Sequence, residues 1–371
     1  MTTGPAIMRR QPSEVEDTVT GQLQENSTAP GGLMAKEIAD QPHLLAGLVE
    51  HRAEIAEVAK VVAERKPRFA LLAARGSSDN AALYAKYLIE VLLQLPAGLV
   101  SPSTTTLYGA APDLTDVLLV TVSQSGGSPD LVEVTDSARR RGALTVAVTN
   151  TEGSDLGGAA EFEFNVRAGR ELAVAATKSY TSTLLGLYLL IDAIRGGDGH
   201  EVADIGELAE STLSDSAADV AEAAQRYRFV ERMVTTGRGY SLSTALEASL
   251  KLAETSYLSA RAYSGADLLH GPVAALDSET GVIAVTSTGK GADAMREVLS
   301  VVHGRGADVL AVGSAAKDMP AAARLNVAAS AEEVAPILEV LPIQRLALEL
   351  SLARGGDPDQ PRGLKKVTKT R

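Results

Sequence analysis

A single unit recurs along this chain: a short apolar run, a turn built of glycine and hydroxyl residues, then a helical pattern. Arg68-Phe69-Ala70-Leu71-Leu72-Ala73-Ala74 reads as a buried strand running into Arg75-Gly76-Ser77-Ser78, with a helix predicted from about Asn80 to Leu93. Val117 to Val122, apolar except for Thr121, leads into Ser123-Gln124-Ser125-Gly126-Gly127-Ser128. Pro129 then suits the first turn of a helix, where an N–H has no partner to lose. Ala143 to Val148 supplies a third strand. Continuously apolar strands that alternate with helices are buried on both faces, so the predicted fold class is α/β, a doubly wound parallel sheet of the flavodoxin-like kind flanked by helices.

The order returns about 160 residues later, which reads as an internal duplication. Arg228-Phe229-Val230 matches Arg68-Phe69-Ala70, and Arg305-Gly306-Ala307 matches Arg141-Gly142-Ala143, each ahead of a similar strand. Between them lie Gly237-Arg238-Gly239, a periodic helix to about Leu258, the run Val282 to Thr286, and a helix ending near His303. Four segments follow: residues 1–32, a disordered tail; 33–205, a domain carrying the hydroxyl turns; 206–354, a second domain; and 355–371, a C-terminal tail. Composition alone reads that last tail as solvated, since Asp357-Pro358-Asp359-Gln360-Pro361-Arg362 and the lysines after it have no apolar periodicity.

Charge and composition remove several classes of function. A formal charge of −12 repels polyanions, so neither nucleic acid nor an anionic membrane is an expected partner. With no cysteine there is no disulfide, thiolate metal site or cysteine nucleophile. His43, His51, His200 and His303 lack metal-ligand spacing, so no metal and no cofactor is expected. Neither a signal peptide nor a run of eighteen apolar residues is present, and a cytoplasmic protein is expected.

Ser77, Ser78, Ser123, Ser125 and Ser128 fall between the carboxyl end of a strand and the amino end of a helix, where free N–H groups and the helix dipole favour an anion. Hydroxyl donors would let an acidic protein hold a phosphate monoester; the same serines would also serve as plain caps and turn formers. Glu247, Lys251 and Glu254, at i, i+4 and i+7, share one helix face. That spacing fits an exposed salt-bridge ladder, and it also fits a carboxylate and a lysine arranged for proton abstraction beside a carbonyl. His270 stands in Asp267-Leu268-Leu269-His270-Gly271-Pro272, where Gly-Pro forces a turn.

In order along the chain, these segments resemble the SIS (sugar isomerase) family, in particular the isomerase half of glucosamine-6-phosphate synthase and the SIS-type glucosamine-6-phosphate deaminases. The resemblance runs from about Met34 to the end. It rests on Met34-Ala35-Lys36-Glu37-Ile38, Gly76-Ser77-Ser78, Ser123-Gln124-Ser125-Gly126, Glu171-Leu172-Ala173-Val174-Ala175 with Thr177-Lys178, Glu247 to Glu254, His270-Gly271-Pro272, and Asp359-Gln360-Pro361-Arg362 ahead of Lys366. It implies two SIS domains with the C-terminal tail over the active site. By resemblance Ser77, Ser78, Ser123, Gln124, Ser125 and Ser128 hold the sugar phosphate, and Val174 and Ala176 line the sugar through their backbone. By the same mapping Glu254 moves the C2 proton, His270 assists ring opening from the neighbouring subunit of a homodimer, Lys366 closes over the sugar, and Glu247 and Lys251 tune Glu254.

The implied substrate is an aminosugar 6-phosphate. No amino-terminal glutaminase domain is read in the chain and cysteine is absent, so the glutamine-dependent synthase reaction is not expected. The ending Lys366-Val367-Thr368-Lys369-Thr370 is more similar to the deaminase branch. Once the C2 proton is gone, several exits remain open: deamination or isomerisation, elimination of water from an N-acetylated substrate (a dehydratase, hence a lyase), deglycation of a fructosamine phosphate, or binding without turnover as a sensor.

Overall fold

The computed structural model describes residues 29–364 and Lys366; residues 1–28 of the predicted amino-terminal tail, with residues 365 and 367–371, lie outside the described residues. Among the described residues, ten strands form two five-stranded sheets. The first holds β1 (Phe69–Ala73), β2 (Ala97–Leu99), β3 (Val117–Ser123), β4 (Leu144–Thr149) and β5 (Phe162–Asn165) in the order β2-β1-β3-β4-β5. The second holds β6 (Arg232–Gly237), β7 (Ala260–Ser264), β8 (Thr280–Val285), β9 (Asp308–Gly313) and β10 (Ala323–Asn326) in the order β10-β9-β8-β6-β7. Read from its other edge, the second order is the first repeated. Every pairing is parallel. This is the flavodoxin-like doubly wound arrangement, twice.

The central strands are apolar because both of their faces are covered. Every residue of β4 and of β8 is buried, as is all of β3 beyond Val117. The matched Arg-Gly-Ala triplets end equivalent helices: Gly142 (φ 90°) and Gly306 (φ 79°) take the left-handed turn that leads the chain into β4 and β9. The matched Arg-Phe triplets are less alike, since β1 begins at Phe69 while β6 begins four residues after Arg228.

Two long helices join the halves. Lys178–Ile194 and Ala335–Ala353 are buried on nearly all sides, and their apolar residues belong to one core that runs through both halves, including Leu72, Leu88, Tyr188, Tyr227 and Leu341. Two glutamines bridge the halves at this junction, while the buried hydroxyls of Thr177, Tyr180 and Tyr188 find no protein partner among the described residues. Gln41 Nε2 donates to Gln344 Oε1 at 2.8 Å, and Gln344 Nε2 donates to Thr177 O at 3.2 Å. No helix among the described residues is long and apolar enough to cross a membrane.

Candidate active site

Strand order places the site. In the first sheet β1 and β3 are neighbours whose chains leave in opposite directions, so the turns at their carboxyl ends flank an open crevice, the usual ligand position in such a sheet. A cleft of about 430 Å³ occupies it, within the range of small-ligand pockets. One wall is the pair of turns, with Ser77, Ser78, Ser123, Gln124, Ser125 and Ser128; Val174 and Ala176 line a second side. Glu254, Leu364 and Lys366 complete the lining from the second half and the tail.

The helix after β1 begins at Ser77, three residues earlier than the apolar pattern predicts, so Ser77 and Asn80 stand one turn apart on the same face. That face packs against the helix Ser241–Ser256, which follows the equivalent strand β6 in the other half. Ser77 Oγ donates to Glu247 Oε1 at 2.9 Å, and Asn80 Nδ2 donates to Glu247 Oε2 at 2.8 Å. The Ser77 hydroxyl proton is therefore engaged with Glu247, while the hydroxyls of Ser78, Ser125 and Ser128 line the cleft itself.

Glu247 and Lys251 have no exposed side-chain surface, whereas Glu254 keeps 26% where it meets the cleft. The solvated salt-bridge ladder is thus not what forms. Lys251 Nζ lies 3.2 Å from Glu247 Oε1 and 2.5 Å from Glu254 Oε2, and it donates to Ser77 Oγ at 3.2 Å. Burial pushes the Glu247 carboxyl up from its ordinary range, while the Lys251 charge and the Asn80 and Ser77 donors pull it back. Burial wins, and the Glu247 pKa is raised on balance. Burial alone would lower the Lys251 pKa; the charges of Glu247 and Glu254 outweigh it and hold the ammonium above its usual range.

The tail is anchored rather than loose. Asp359 accepts from Leu33 N at 2.8 Å and Met34 N at 3.0 Å, Asp357 accepts from Gly31 N at 3.0 Å, and Tyr257 OH accepts from Arg362 N at 2.8 Å. Lys366 Nζ then reaches Glu171 Oε2 at 2.6 Å. Glu171 is itself buried and accepts from Thr177 N, Ser179 N and Ser179 Oγ. Burial raises its pKa, but Lys366 and these donors win, and the carboxyl sits below its ordinary 4.5.

A carboxyl lowered on folding contributes stability above 4.5 that is lost as pH falls through its folded value. Acidification is therefore expected to free the tail, read as faster amide hydrogen exchange over residues 359–364. Glu171→Gln should free it already at neutral pH; unchanged protection in that variant would count against the latch.

Three cleft features carry no strong sequence signal. Arg75 lines the site with its guanidinium fixed by the buried Asp130, Nε to Oδ2 at 2.9 Å, so the wall of serine turns includes a cation as well as hydroxyls. Asn80 is detectable only as the residue one turn after Ser77, and Glu171 only as the acid of the Glu171 to Lys178 segment. His270 caps the short helix Gly265–Leu269, exposed and outside this cleft. Among the described residues no group of His, Asp and Glu is arranged to hold a metal ion.

A duplicated parallel α/β chain whose switch-point cleft gathers hydroxyl turns, an arginine, a carboxylate and a lysine defines a class, and comparison with known proteins identifies it. The model of the SIS domain matches residues 54–193 and again 227–354, one match for each half. The chain belongs to the SIS domain family. It is 34% identical over 354 residues to the isomerizing glutamine–fructose-6-phosphate aminotransferase of Pyrobaculum aerophilum, covering 90% of this chain and 57% of that protein. The Thermus thermophilus enzyme of the same name is 31% identical, covering 90% and 58%. This chain thus spans less than two thirds of the length of those relatives.

Among solved structures, the C-terminal domain of glucosamine-fructose-6-phosphate aminotransferase from Francisella tularensis superposes with a TM-score of 0.82 at 26% identity, covering 91% of this chain and 99% of that one. Glucosamine-6-phosphate deaminase from Thermotoga maritima superposes at 0.76 with 24% identity, covering 91% and 100%, a likeness of fold.

Proposed function

We propose that this chain opens an aminosugar 6-phosphate and abstracts its C2 proton, most simply as a glucosamine-6-phosphate deaminase/isomerase that releases ammonia. One observation carries the reading: the Glu254 carboxylate borders the same cleft as the hydroxyl turns, with the buried Lys251 ammonium 2.5 Å behind it. A proton α to a carbonyl is weakly acidic, and its removal needs a positioned base and a cation against the developing negative charge. Lys251 and Lys366 are the cations on that side, and Arg75 with Ser78, Ser123, Gln124, Ser125 and Ser128 form the grip for the phosphate.

In this mechanism the ring opens to the aldehyde, with His270 of a second copy as the assisting group, and Glu254 takes the C2 proton. The proton returns at C1, leaving an imine at C2. Water adds there and ammonia departs, giving fructose 6-phosphate. Val174 and Ala176 border the sugar, and Glu247 holds Lys251 in place without touching substrate.

Incubation with glucosamine 6-phosphate and, separately, with N-acetylglucosamine 6-phosphate tests the assignment. Ammonia from the first is expected. A new ultraviolet chromophore from the second without ammonia from the first would replace deamination by elimination of water, and tight binding with neither signal would make the chain a sensor. Ser125→Ala should weaken binding of the sugar phosphate by about 2 kcal/mol, the value of one hydrogen bond to a charged group. Unchanged affinity by calorimetry would remove the phosphate from this turn.

A further inference from the structure

The second half repeats both turns of the cleft, and there an anion is already in place. β6 runs into Arg238-Gly239-Tyr240-Ser241 where β1 runs into Arg75-Gly76-Ser77-Ser78, and β8 runs into Thr286-Ser287-Thr288-Gly289 where β3 runs into Ser123-Gln124-Ser125-Gly126. β6 and β8 are neighbours, as β1 and β3 are. Each turn is tied to the neighbouring strand's exit by a backbone bond, Ala315 N to Thr286 O and Asn150 N to Gln124 O, one position apart in register.

Across this second crevice lies the side chain of Glu332. Its Oε2 accepts from Lys290 N at 3.0 Å and its Oε1 from Gly291 N at 2.7 Å, at the start of the helix Lys290–Gly304. Two oxygens of one anion taken by successive N–H groups is how a phosphate sits at a helix start. Glycine makes the room: Gly289 has φ 141°, and a Cβ there would stand 2.3 Å from the Glu332 carboxyl carbon. In the same turn Ser287 is 4% exposed, and its hydroxyl faces the buried Glu339.

The origin of Glu332 completes the parallel. It belongs to the loop between β10 and the helix Ala335–Ala353; the equivalent loop of the first half, between β5 and the helix Lys178–Ile194, carries Val174 and Ala176 along the open cleft. The same loop thus borders the site in one half and fills it in the other.

We propose that Glu332 is the built-in occupant of a second phosphate-type cradle left by duplication, so that the chain takes a phosphate group in one half only, and that removing this carboxylate opens the other half to inorganic phosphate. Equilibrium dialysis with labelled inorganic phosphate tests it: Glu332→Ala should bind one more phosphate per chain than the wild type, and crystals of that variant should show it at the N–H groups of Lys290 and Gly291. The gain should persist when Ser125→Ala is added, which separates this site from the first and keeps the result independent of the reaction assigned there. A folded Glu332→Ala protein with the wild-type phosphate count would overturn the proposal. Should the variant not fold in phosphate-free buffer, refolding on addition of phosphate supports the cradle, and failure to refold counts against it.

Discussion

Replacing Glu254 by glutamine is expected to slow exchange of the substrate C2 hydrogen with deuterated water by about 10²–10⁴-fold, the usual contribution of a positioned general base. The amide keeps the shape of the side chain and its place at the cleft but cannot accept the proton. Binding of glucosamine 6-phosphate should change little, because the grip proposed for the phosphate is made by the serine turns and not by Glu254. The loss should therefore fall on kcat, followed by proton NMR of the C2 signal. Exchange at the wild-type rate would exclude Glu254 as the base, and with it the proposed chemistry.

The largest effect on stability is expected at Lys251. Lys251→Met leaves Glu247 with no exposed surface and no cation, and stranding one member of a buried pair costs about 3–5 kcal/mol. A guanidinium titration should show a lower midpoint with an unchanged slope. Adding Glu247→Gln should recover part of the loss, since the double variant buries no unpaired charge. A single variant as stable as the wild type would mean that water reaches this pair. The wild type carries the matching pH signature: with the Lys251 pKa raised on folding, its stabilisation is complete below 10.5 and is lost as pH rises through the higher folded value.

The parts of this structure legible in the sequence are those governed by local rules. β1, β3, β4 and β8 are apolar runs bounded by turns, so their positions, and the hydroxyl residues after β1 and β3, follow from pattern alone. The edge strands β2, β5 and β10 span only three or four residues each and carry too little pattern to separate from loops. The helices Lys178–Ile194 and Ala335–Ala353 have almost no exposed face, hence no polar stripe to give their period away.

The site divides in the same manner. Spacing places Glu247, Lys251 and Glu254 on one face, but an i, i+4 pair looks the same in water and in a core; Ser77 and Asn80, some 170 residues away, decide between the two. Lys366 is a similar case. The segment around it lacks apolar periodicity, while its partner Glu171 is a buried acid 195 residues distant. Arg75 precedes a recognised turn, yet only Asp130 fixes where its charge points.

Because the clasp on Glu247 is made by one half of the chain and the lysine beside it by the other, neither repeat expressed on its own would hold a finished reaction centre. A protein severed in the linker after Ile194 would have to reassemble its fragments before any turnover, and its specific activity would then climb with the concentration of the complementary piece.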